Sequence, residues 1–348
     1  MTGTGNWLAR AWHQRGLTAC LLWPASLFYG LVSGLHRWFY RFGFFKSERI
    51  AIPVLVVGNV VAGGAGKTPL VIALVQHLQQ QGLRVGVVSR GYGRLGKNCL
   101  EVLENTAISE SGDEPALILR VTAAPVFVAS RRAEAACALL QKYPDIELLV
   151  CDDGLQHHGL ARDVEVVVFD DRGVGNGWLL PAGPLREPWP RGRQTKTELV
   201  LHTGNAPAFE GYTASRQLAA YGVTADGTQV LLSSLKGQPL TAIAAIANPQ
   251  AFFAMLAACG LTLSQTICLP DHDDFSNCQP PVADGSYLLC TEKDAVKLFR
   301  LAAMASVRVL AVPLQFQPEP AFMAAVDSLL APLLSTRLNS QLPSSNGH

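Results

Sequence analysis

The most informative segment of this chain is Val57-Gly58-Asn59-Val60-Val61-Ala62-Gly63-Gly64-Ala65-Gly66-Lys67-Thr68-Pro69, which joins a predicted strand (residues 50–57) to a predicted helix (residues 68–80). Glycines let backbone N–H groups turn inward around phosphate oxygens, and the following helix presents its positive end to the same anion. Lysine adds a mobile charge for the β- and γ-phosphates, and the threonine hydroxyl suits Mg²⁺. The segment therefore predicts a nucleotide-phosphate site made by Val61, Ala62, Gly63, Gly64, Ala65, Gly66, Lys67 and Thr68.

This loop departs from the common P-loop pattern at one position. The pattern Gly-x-x-x-x-Gly-Lys-Thr has glycine where this chain has Val61. Gly63 and Gly64 supply flexibility two residues later. The alternative interpretation is a glycine-rich turn with an incidental lysine.

An acidic strand end supports the nucleotide site. Residues 148–151 are apolar, and Asp152 and Asp153 follow them directly. Carboxylates at the end of a buried strand beside a P-loop complete a Mg²⁺ site. The alternative is that both aspartates cap the turn that Gly154 permits.

The order of predicted elements indicates an α/β fold. Short apolar runs alternate with helical stretches, which predicts a P-loop NTPase-like parallel sheet with helices on both faces. A proline-rich connector follows, and then a second, smaller α/β lobe. We expect five parts: an N-terminal membrane-associating helical segment (1–46), a P-loop kinase core (47–180), the connector (181–196), the second lobe with a C-terminal helix (197–335) and a polar tail (336–348).

Composition narrows the class further. The chain has 348 residues, of which 49% are hydrophobic and 16% charged, enough for two folded domains. A net charge of +1 gives no global basis for binding nucleic acid. Eight cysteines without a Cys-x-x-Cys pair favour free thiols in a reducing compartment.

The N-terminal region has an uncharged run, residues 17–35, flanked by arginines and rich in tryptophan. Three interpretations stay open: a helix that lies in the membrane surface, an arm packed on the protein's own core, and a single-pass anchor. The first is the one we favour, because tryptophan suits the headgroup boundary.

Two classes of P-loop protein fit poorly. Guanine-nucleotide switches carry an Asn-Lys-x-Asp motif, which the sequence lacks, and partitioning-type ATPases carry a lysine where this chain has Ala62. A membrane ATPase switch and a non-enzymatic membrane adaptor remain as rivals to a kinase.

The loop resembles that of the tetraacyldisaccharide 4′-kinases, the lipid A 4′-kinases of Gram-negative bacteria, a family that also lacks glycine at the loop's first position. Further matches occur in the family's order over nearly the whole chain: Ser89-Arg90-Gly91-Tyr92-Gly93-Arg94, Gly112-Asp113-Glu114-Pro115, Asp152-Asp153-Gly154-Leu155-Gln156-His157, Gly183-Pro184-Leu185-Arg186-Glu187, Asp271-His272 and Thr291-Glu292-Lys293-Asp294.

The resemblance implies a reaction and a location. It implies transfer of the ATP γ-phosphate to the 4′-hydroxyl of a tetraacylated glucosamine disaccharide 1-phosphate, giving lipid IVA, with ATP and Mg²⁺ as cofactors. It further implies a site between two lobes, at the cytoplasmic face of the inner membrane. We expect no nucleic-acid partner and no obligate protein partner.

The resemblance also suggests catalytic roles. Asp113 is the candidate base and works with His272, while Lys67 serves the phosphates. Local sequence alone would make Asp113 a helix cap and His272 a solvated side chain.

The resemblance and residue chemistry together suggest the remaining ligands. The Mg²⁺ candidates are Thr68, Asp152 and Glu187, although Glu187 would also fit a surface ion pair with Arg186. The substrate candidates are Arg90, Tyr92, Arg94, Arg131 and His157.

Lys293 is a further residue of interest. Thr291-Glu292-Lys293-Asp294 has the spacing of a capping box. A lysine in a helix's first turn is electrostatically unfavourable unless an anion lies nearby.

Overall fold

Two β-sheets organise the chain. The structure, a computed structural model, describes residues 11–191, 197–204, 206–276, 278, 286–301, 304 and 306–341, with side chains up to residue 335. Predictions for residues 1–10, for residues 192–196 of the connector and for the tail beyond residue 341 lie outside the described residues.

The strands have the following bounds: β1 Val54–Gly58, β2 Val85–Ser89, β3 Leu100–Val102, β4 Val126–Val128, β5 Leu148–Asp152, β6 Val164–Phe169, β7 Glu198–His202, β8 Tyr212–Leu218, β9 Tyr221–Val223, β10 Gln229–Leu231, β11 Leu240–Ala244, β12 Leu263–Cys268, β13 Tyr287–Thr291, β14 Arg308–Val312 and β15 Leu314–Pro318. The larger sheet has the order β15-β8-β7-β6-β1-β5-β2-β4-β3, and the smaller sheet has the order β10-β9-β14-β13-β11-β12.

The helices have the following bounds: α1 Leu17–Arg41, α2 Lys67–Gln80, α3 Ile108–Ser111, α4 Asp113–Thr122, α5 Arg132–Lys142, α6 Pro249–Ala258, α7 Glu292–Leu298 and α8 Pro320–Gln341. A 3₁₀ turn occupies Leu232–Leu235. Strand β1 starts later than the predicted residue 50, because Pro53 lacks the N–H that a central strand donates.

Helices cover both faces of the larger sheet, which confirms the predicted fold class. Successive strand residues point to opposite faces. Leu55 and Val57 belong to the apolar cluster that includes Leu74 of α2, whereas Val56 belongs to the cluster that includes Leu139 of α5. Strands β1, β2 and β5 are buried along their whole lengths, as a parallel sheet covered on both faces requires.

The predicted boundary of the second lobe is wrong in part. Residues 197–335 do not form one lobe, because β7, β8 and β15 extend the larger sheet. Helix α8 also packs on that sheet through Phe322, Val326 and Leu330. An apolar strand pattern does not say which sheet a strand joins, so the sequence could not place these elements. The smaller sheet is confined to residues 221–312.

Helix α1 lies against the first part of the connector and exposes its opposite face. Ser26 is 4% exposed, and its hydroxyl donates to the Leu179 carbonyl (2.9 Å) and accepts from the Ala182 amide (2.9 Å). The Tyr29 hydroxyl donates to the Arg186 carbonyl (2.9 Å). The outward face is apolar and includes Leu17, Leu21, Leu27, Phe28, Leu31, Val32 and Leu35, all at least 48% exposed.

By length and composition alone, α1 is long enough and apolar enough to cross a membrane. Ser26 and Tyr29 are nevertheless hydrogen-bonded to the body of the protein at mid-helix, and little of the helix surface is buried. The low burial disfavours the fully packed arm as an interpretation of the segment.

Candidate active site

The predicted phosphate loop connects the end of β1 to the start of α2. Gly63 and Gly66 have positive φ values of 99° and 80°, a conformation that other residues rarely adopt. A side chain at Gly66 would also collide with the guanidinium of Arg216. In the described part of the chain, the backbone amides of residues 63–66 donate to no protein acceptor. Such a run of free amides at the start of a helix is an anion-binding arrangement.

The Asn59 side chain holds the conformation of this loop through hydrogen bonds. It is fully buried, and its Nδ2 donates to the carbonyls of Val61 (2.6 Å) and Gly63 (3.0 Å). Its Oδ1 accepts from Lys67 Nζ (3.2 Å), which also lies 3.5 Å from Asp153 Oδ1. The lysine is thus held beside the loop. Sequence reasoning missed the role of Asn59, because it depends on how the loop folds back.

The connector forms backbone hydrogen bonds with the loop. The Ala62 amide donates to the Pro184 carbonyl (2.8 Å), and the Arg186 amide donates to the Val60 carbonyl (2.7 Å). Val61 and Leu185 form an antiparallel bridge. The unusual residue Val61 therefore has a structural use, since it pairs with the connector.

Asp152 lies directly beside the start of the loop. It is the strand neighbour of Val57, it is 1% exposed, and its Oδ2 accepts from the Ser89 hydroxyl (3.3 Å). Its Oδ1 is buried without a hydrogen-bond partner among the described residues. Burial, followed by the charges of Glu114 and Asp153, raises the pKa of Asp152 to about 7. A cation close to this carboxylate would offset the effect of burial and favour its ionised form.

Glu187 is buried at the base of the same region. It is 4% exposed, and its Oε1 accepts from Gln156 Nε2 (2.7 Å) and from Arg191 Nη2 (3.1 Å). The alternative of a surface pair with Arg186 is wrong, since Arg186 instead lies 3.3 Å from Asp153.

The described residues offer few side chains that could bind a metal ion. Among the described residues, no group of three or more His, Cys, Asp or Glu side chains is arranged as a complete metal site. Mg²⁺ usually binds through one or two carboxylates together with substrate phosphates and water, so Thr68 and the unpartnered Asp152 fit such an ion.

Asp113 and His272 meet across the two sheets. Asp113 begins α4, and His272 follows β12 with a strained φ of 66°. His272 Nδ1 lies 3.0 Å from both carboxylate oxygens of Asp113, which is 3% exposed. Gly112, rather than Asp113, is the N-cap of α4, and His272 is half-buried. The two local alternatives are therefore wrong.

Two lysines of α7 complete this cluster. Lys297 Nζ donates to Asp113 Oδ2 (3.1 Å), while Lys293 Nζ lies 3.8 Å from Asp113 and 3.4 Å from His272 Nε2. Burial would raise the pKa of Asp113, but the hydrogen bond from His272 and the charges of Lys293 and Lys297 outweigh it, and the pKa falls well below its usual range. The same hydrogen bond raises the pKa of His272 despite its partial burial.

Lys293 also lies 3.1 Å from Asp271 and 3.7 Å from Glu114. The anions that we expected near Lys293 are thus the carboxylates of Asp271 and Glu114. The predicted cap is present too, since the Asp294 amide donates to the Thr291 hydroxyl (3.1 Å).

The substrate candidates occupy different environments. Tyr92 is 65% exposed, and its ring centroid lies 5.1 Å from that of His272; Arg90 is also exposed. Arg94 donates to the Asn98 carbonyl (2.7 Å), and Arg131 pairs with Glu48 (2.5 Å).

The remaining candidate, His157, has a backbone partner. Its Nε2 accepts from the Arg132 amide (3.1 Å). Burial, together with the charges of Arg132 and Arg162, lowers the pKa of His157 to about 4. The structure thus brings Tyr92 to the Asp113–His272 pair and gives Arg94, Arg131 and His157 protein partners elsewhere.

A phosphate loop, an acidic strand beside it and an Asp–His pair reached from a second lobe define a phosphotransferase of the P-loop class. The sequence pattern described as tetraacyldisaccharide-1-P 4′-kinase matches residues 18–331. This chain belongs to that family, the tetraacyldisaccharide 4′-kinases.

Individual relatives agree over nearly the full length. The tetraacyldisaccharide 4′-kinase of Polaromonas naphthalenivorans (strain CJ2) is 60% identical over 341 residues, which are 98% of this chain and 98% of that protein. The tetraacyldisaccharide 4′-kinase of Acidovorax sp. (strain JS42) is 54% identical over 331 residues, 94% of this chain and 96% of that protein.

A solved structure is also similar. The crystal structure of LpxK from Aquifex aeolicus in complex with ATP superposes with a TM-score of 0.78 at 27% identity. The match covers 91% of this chain and 100% of that one.

Proposed function

We propose that this protein transfers the γ-phosphate of ATP to the 4′-hydroxyl of a tetraacyldisaccharide 1-phosphate and so makes lipid IVA. Family membership and the ATP complex of the Aquifex aeolicus relative support this activity. The observation that carries it in this chain is the Asp113–His272 pair, because it adds a proton acceptor to a phosphate-binding loop.

The nucleotide phosphates bind at residues 61–68 in this proposal. The free amides of residues 63–66 surround the phosphate oxygens, and Lys67 neutralises the β- and γ-phosphates. Its contacts with Asn59 and Asp153 hold the ammonium group in place before the nucleotide arrives.

The Mg²⁺ ligands proposed from this chain are Thr68 and Asp152, and Glu187 lies in the same region through Gln156. The buried, unpartnered oxygen of Asp152 supports this assignment. When bound, Mg²⁺ neutralises charge on the phosphates.

The acceptor hydroxyl loses its proton to the Asp113–His272 pair. His272 Nδ1 faces Asp113, so Nε2, which lies 3.4 Å from Lys293 Nζ, is the nitrogen that would accept the proton. Asp113 then stabilises the imidazolium, as a carboxylate does for a catalytic histidine. Lys297 and Lys293 keep Asp113 ionised for this purpose.

The disaccharide binds on the side of the cleft where Tyr92 and Arg90 are exposed. Tyr92 adjoins His272, so a sugar that stacks on its ring would bring a hydroxyl close to the pair. Arg94, Arg131 and His157 remain substrate candidates.

The exposed apolar face of α1 supports a position on the membrane surface. An amphiphilic acceptor resides in a bilayer, and a helix that exposes leucine, phenylalanine and tryptophan on one side suits its interface. Use of ATP places this contact at the cytoplasmic face of the inner membrane, as a peripheral or monotopic association.

One assay tests the reaction. Purified protein is incubated with γ-labelled ATP and tetraacyldisaccharide 1-phosphate in detergent, and label is followed on the lipid. Lys67→Ala and Asp113→Ala are expected to reduce lipid labelling by about a hundredfold or more, since each removes a group that acts in the transition state.

Asp145→Ala is the matched control, because that carboxylate is 62% exposed and pairs only with Arg84 in the described residues. Label that appears as free phosphate at the same rate with and without the lipid would instead indicate an ATPase switch. Full lipid labelling by Asp113→Ala would refute the role proposed for the Asp113–His272 pair.

A further inference from the structure

A polar cavity lies where the C-terminal end of α1 meets the body of the protein. It has a volume of about 420 Å³, and the residues that matter for its chemistry are Arg37, Tyr40, Arg41, Ser47, His158 and Arg162. It contains none of the residues assigned above to ATP, Mg²⁺ or proton transfer.

The charge of this cavity is positive. Three of the residues that line it are arginines, and none of the described lining residues is acidic. Arg162 is fixed by Glu165 (2.9 Å) and by the carbonyls of Leu155 and His157. Within the described ranges, no carboxylate pairs with Arg37 or Arg41, so their guanidinium groups are available to an anion.

The cavity also offers neutral hydrogen-bonding groups. Burial, with the charge of Arg162, lowers the pKa of His158 to about 4, so this imidazole is neutral at physiological pH. A neutral imidazole and the Tyr40 hydroxyl each supply a donor without further positive charge.

An apolar groove continues from the cavity along α1. It has a volume of about 400 Å³ and is lined by Gly30, Leu31, Gly34, Leu35 and Trp38. Residues three, four and seven apart lie on one side of a helix, so Gly34 and Trp38 adjoin Arg37 and Arg41. A site for an anion and a site for a hydrocarbon chain therefore lie next to each other along one helix.

We propose that this cavity and groove bind one phospholipid of the membrane, with the headgroup phosphate on Arg37 and Arg41 and an acyl chain in the groove at Gly34. Basic pockets at membrane surfaces bind anionic headgroups, and the position beside the exposed Trp38, Phe42 and Phe44 matches the headgroup boundary. This inference rests on the membrane contact proposed for α1 and adds a ligand and a site to it.

Vesicle flotation tests the headgroup site. Binding to phosphatidylglycerol–phosphatidylcholine vesicles is compared with binding to phosphatidylcholine alone, for the wild type and for Arg37→Gln/Arg41→Gln. We expect binding to the mixed vesicles to weaken about fivefold for each arginine removed. The control Arg49→Gln/Arg84→Gln removes the same charge from side chains that are 71% and 56% exposed, and is expected to change binding little.

A second variant tests the groove. Gly34→Leu places a side chain where the nearest heavy atom outside the helix's own backbone is Arg37 Nη2, 4.0 Å from the added Cβ, so the helix accommodates it without displacing Arg37. It makes α1 more apolar, and a simple apolar contact would then bind vesicles more tightly. Occupation of the groove by an acyl chain predicts weaker binding instead, and tighter binding would overturn this part of the proposal.

The remaining outcomes separate this proposal from the proposed function. An equal loss of vesicle binding in both double variants would show that only the net charge matters, and would overturn the site.

In detergent without phospholipid, the Arg37→Gln/Arg41→Gln enzyme is expected to keep its kcat and its KM for the acceptor. A large rise in that KM would assign the cavity to the acceptor's own phosphate and overturn the proposal. Failure of the wild type to bind any vesicle would overturn the membrane contact and this site together, while leaving the kinase activity in detergent intact.

Discussion

At the scale of single residues, Asp152 shows how a site is built at the expense of stability. Its Oδ1 is buried and has no hydrogen-bond partner among the described residues. A buried charge without a partner destabilises a folded protein. The Mg²⁺ site proposed for Asp152 accounts for this arrangement, because a bound cation would supply the missing partner.

Asp152→Asn is therefore expected to stabilise the nucleotide-free protein. Asparagine keeps the shape and removes the buried charge, so the melting temperature rises by several degrees at neutral pH. The stabilisation that the wild type gains from Mg-ATP should disappear in this variant. Thermal unfolding with and without Mg-ATP measures both effects, and a lower melting temperature in the absence of ligand would contradict the argument.

The pair of Asp113 and His272 predicts a pH-dependent contribution to stability. The folded protein raises the pKa of His272 above its unfolded value of 6.5. The contribution is thus fully present below pH 6.5 and is lost as the pH rises through the folded pKa. His272→Gln should reduce the free energy of unfolding more at about pH 6 than at about pH 9.

Denaturant unfolding at the two pH values measures this difference. His77→Gln is a suitable comparison, since His77 pairs with Asp327 away from the site. An equal loss for His272→Gln at both pH values would show that the histidine gains no extra proton affinity on folding.

Sequence identifies residues whose task is local. Lys67, Thr68 and Asp152 follow from a loop and a strand end that are contiguous in the chain. Asp113 and His272 are 159 residues apart, and only the family resemblance paired them. Lys293 and Lys297 contact Asp113 through the folding of distant segments, whereas the contacts of Asn59 depend on the conformation of its own loop. Residue type and spacing could assign neither.

At the scale of elements, α1 is an amphipathic helix with two different faces. Ser26 on the inner face is hydrogen-bonded to Leu179 and Ala182, whereas Phe28 on the outer face is 69% exposed. Substitutions at these two positions therefore test the two faces separately.

Ser26→Ala is expected to lower the free energy of unfolding by about 1–3 kcal/mol, because it leaves the buried Ala182 amide without its acceptor. Phe28→Ser is expected to leave that free energy nearly unchanged and to reduce binding to vesicles. Denaturant titration and vesicle flotation on both variants measure this contrast. Equal effects of the two changes on stability would show that α1 has no distinct inner face.

Element types were predicted better than element partners. The sequence predicts strands at residues 85–89, 126–128, 164–169 and 198–202, and β2, β4, β6 and β7 have these bounds. The sheet that β7 joins does not follow from its own residues. Its partner is β6, and Glu165 lies opposite Glu198 in the pairing. Long-range pairing is information that a strand's own pattern does not contain.

At the scale of the whole molecule, the two lobes meet through charged groups. Arg300 of the smaller lobe donates to the carbonyls of Thr106 (2.7 Å) and Glu104 (2.5 Å) in the larger one. Lys297 and His272 contact Asp113 across the same boundary. The proton-transfer pair that we propose needs both lobes, whereas the proposed nucleotide loop belongs to the larger lobe alone.

Arg300→Met is therefore expected to lower kcat about tenfold or more while leaving the KM for ATP unchanged. Small displacements of catalytic groups have large effects on rate. Steady-state kinetics at saturating acceptor measure the change, with the exposed Arg84→Met as control. A raised KM for ATP with normal kcat would show that the contact serves the nucleotide instead of the alignment of the lobes.

The segment from Leu179 to Arg186 has contacts on two sides: the Ser26 and Tyr29 hydroxyls on one, and the backbone of Val60 and Ala62 on the other. These hydrogen bonds make it a spacer between α1 and the phosphate loop. If α1 rests on a bilayer, as proposed, this spacer would set the height of the phosphate donor above the lipid headgroups. An acceptor would then be phosphorylated without leaving its leaflet, because the donor is held at a fixed depth by backbone instead of by a flexible tether.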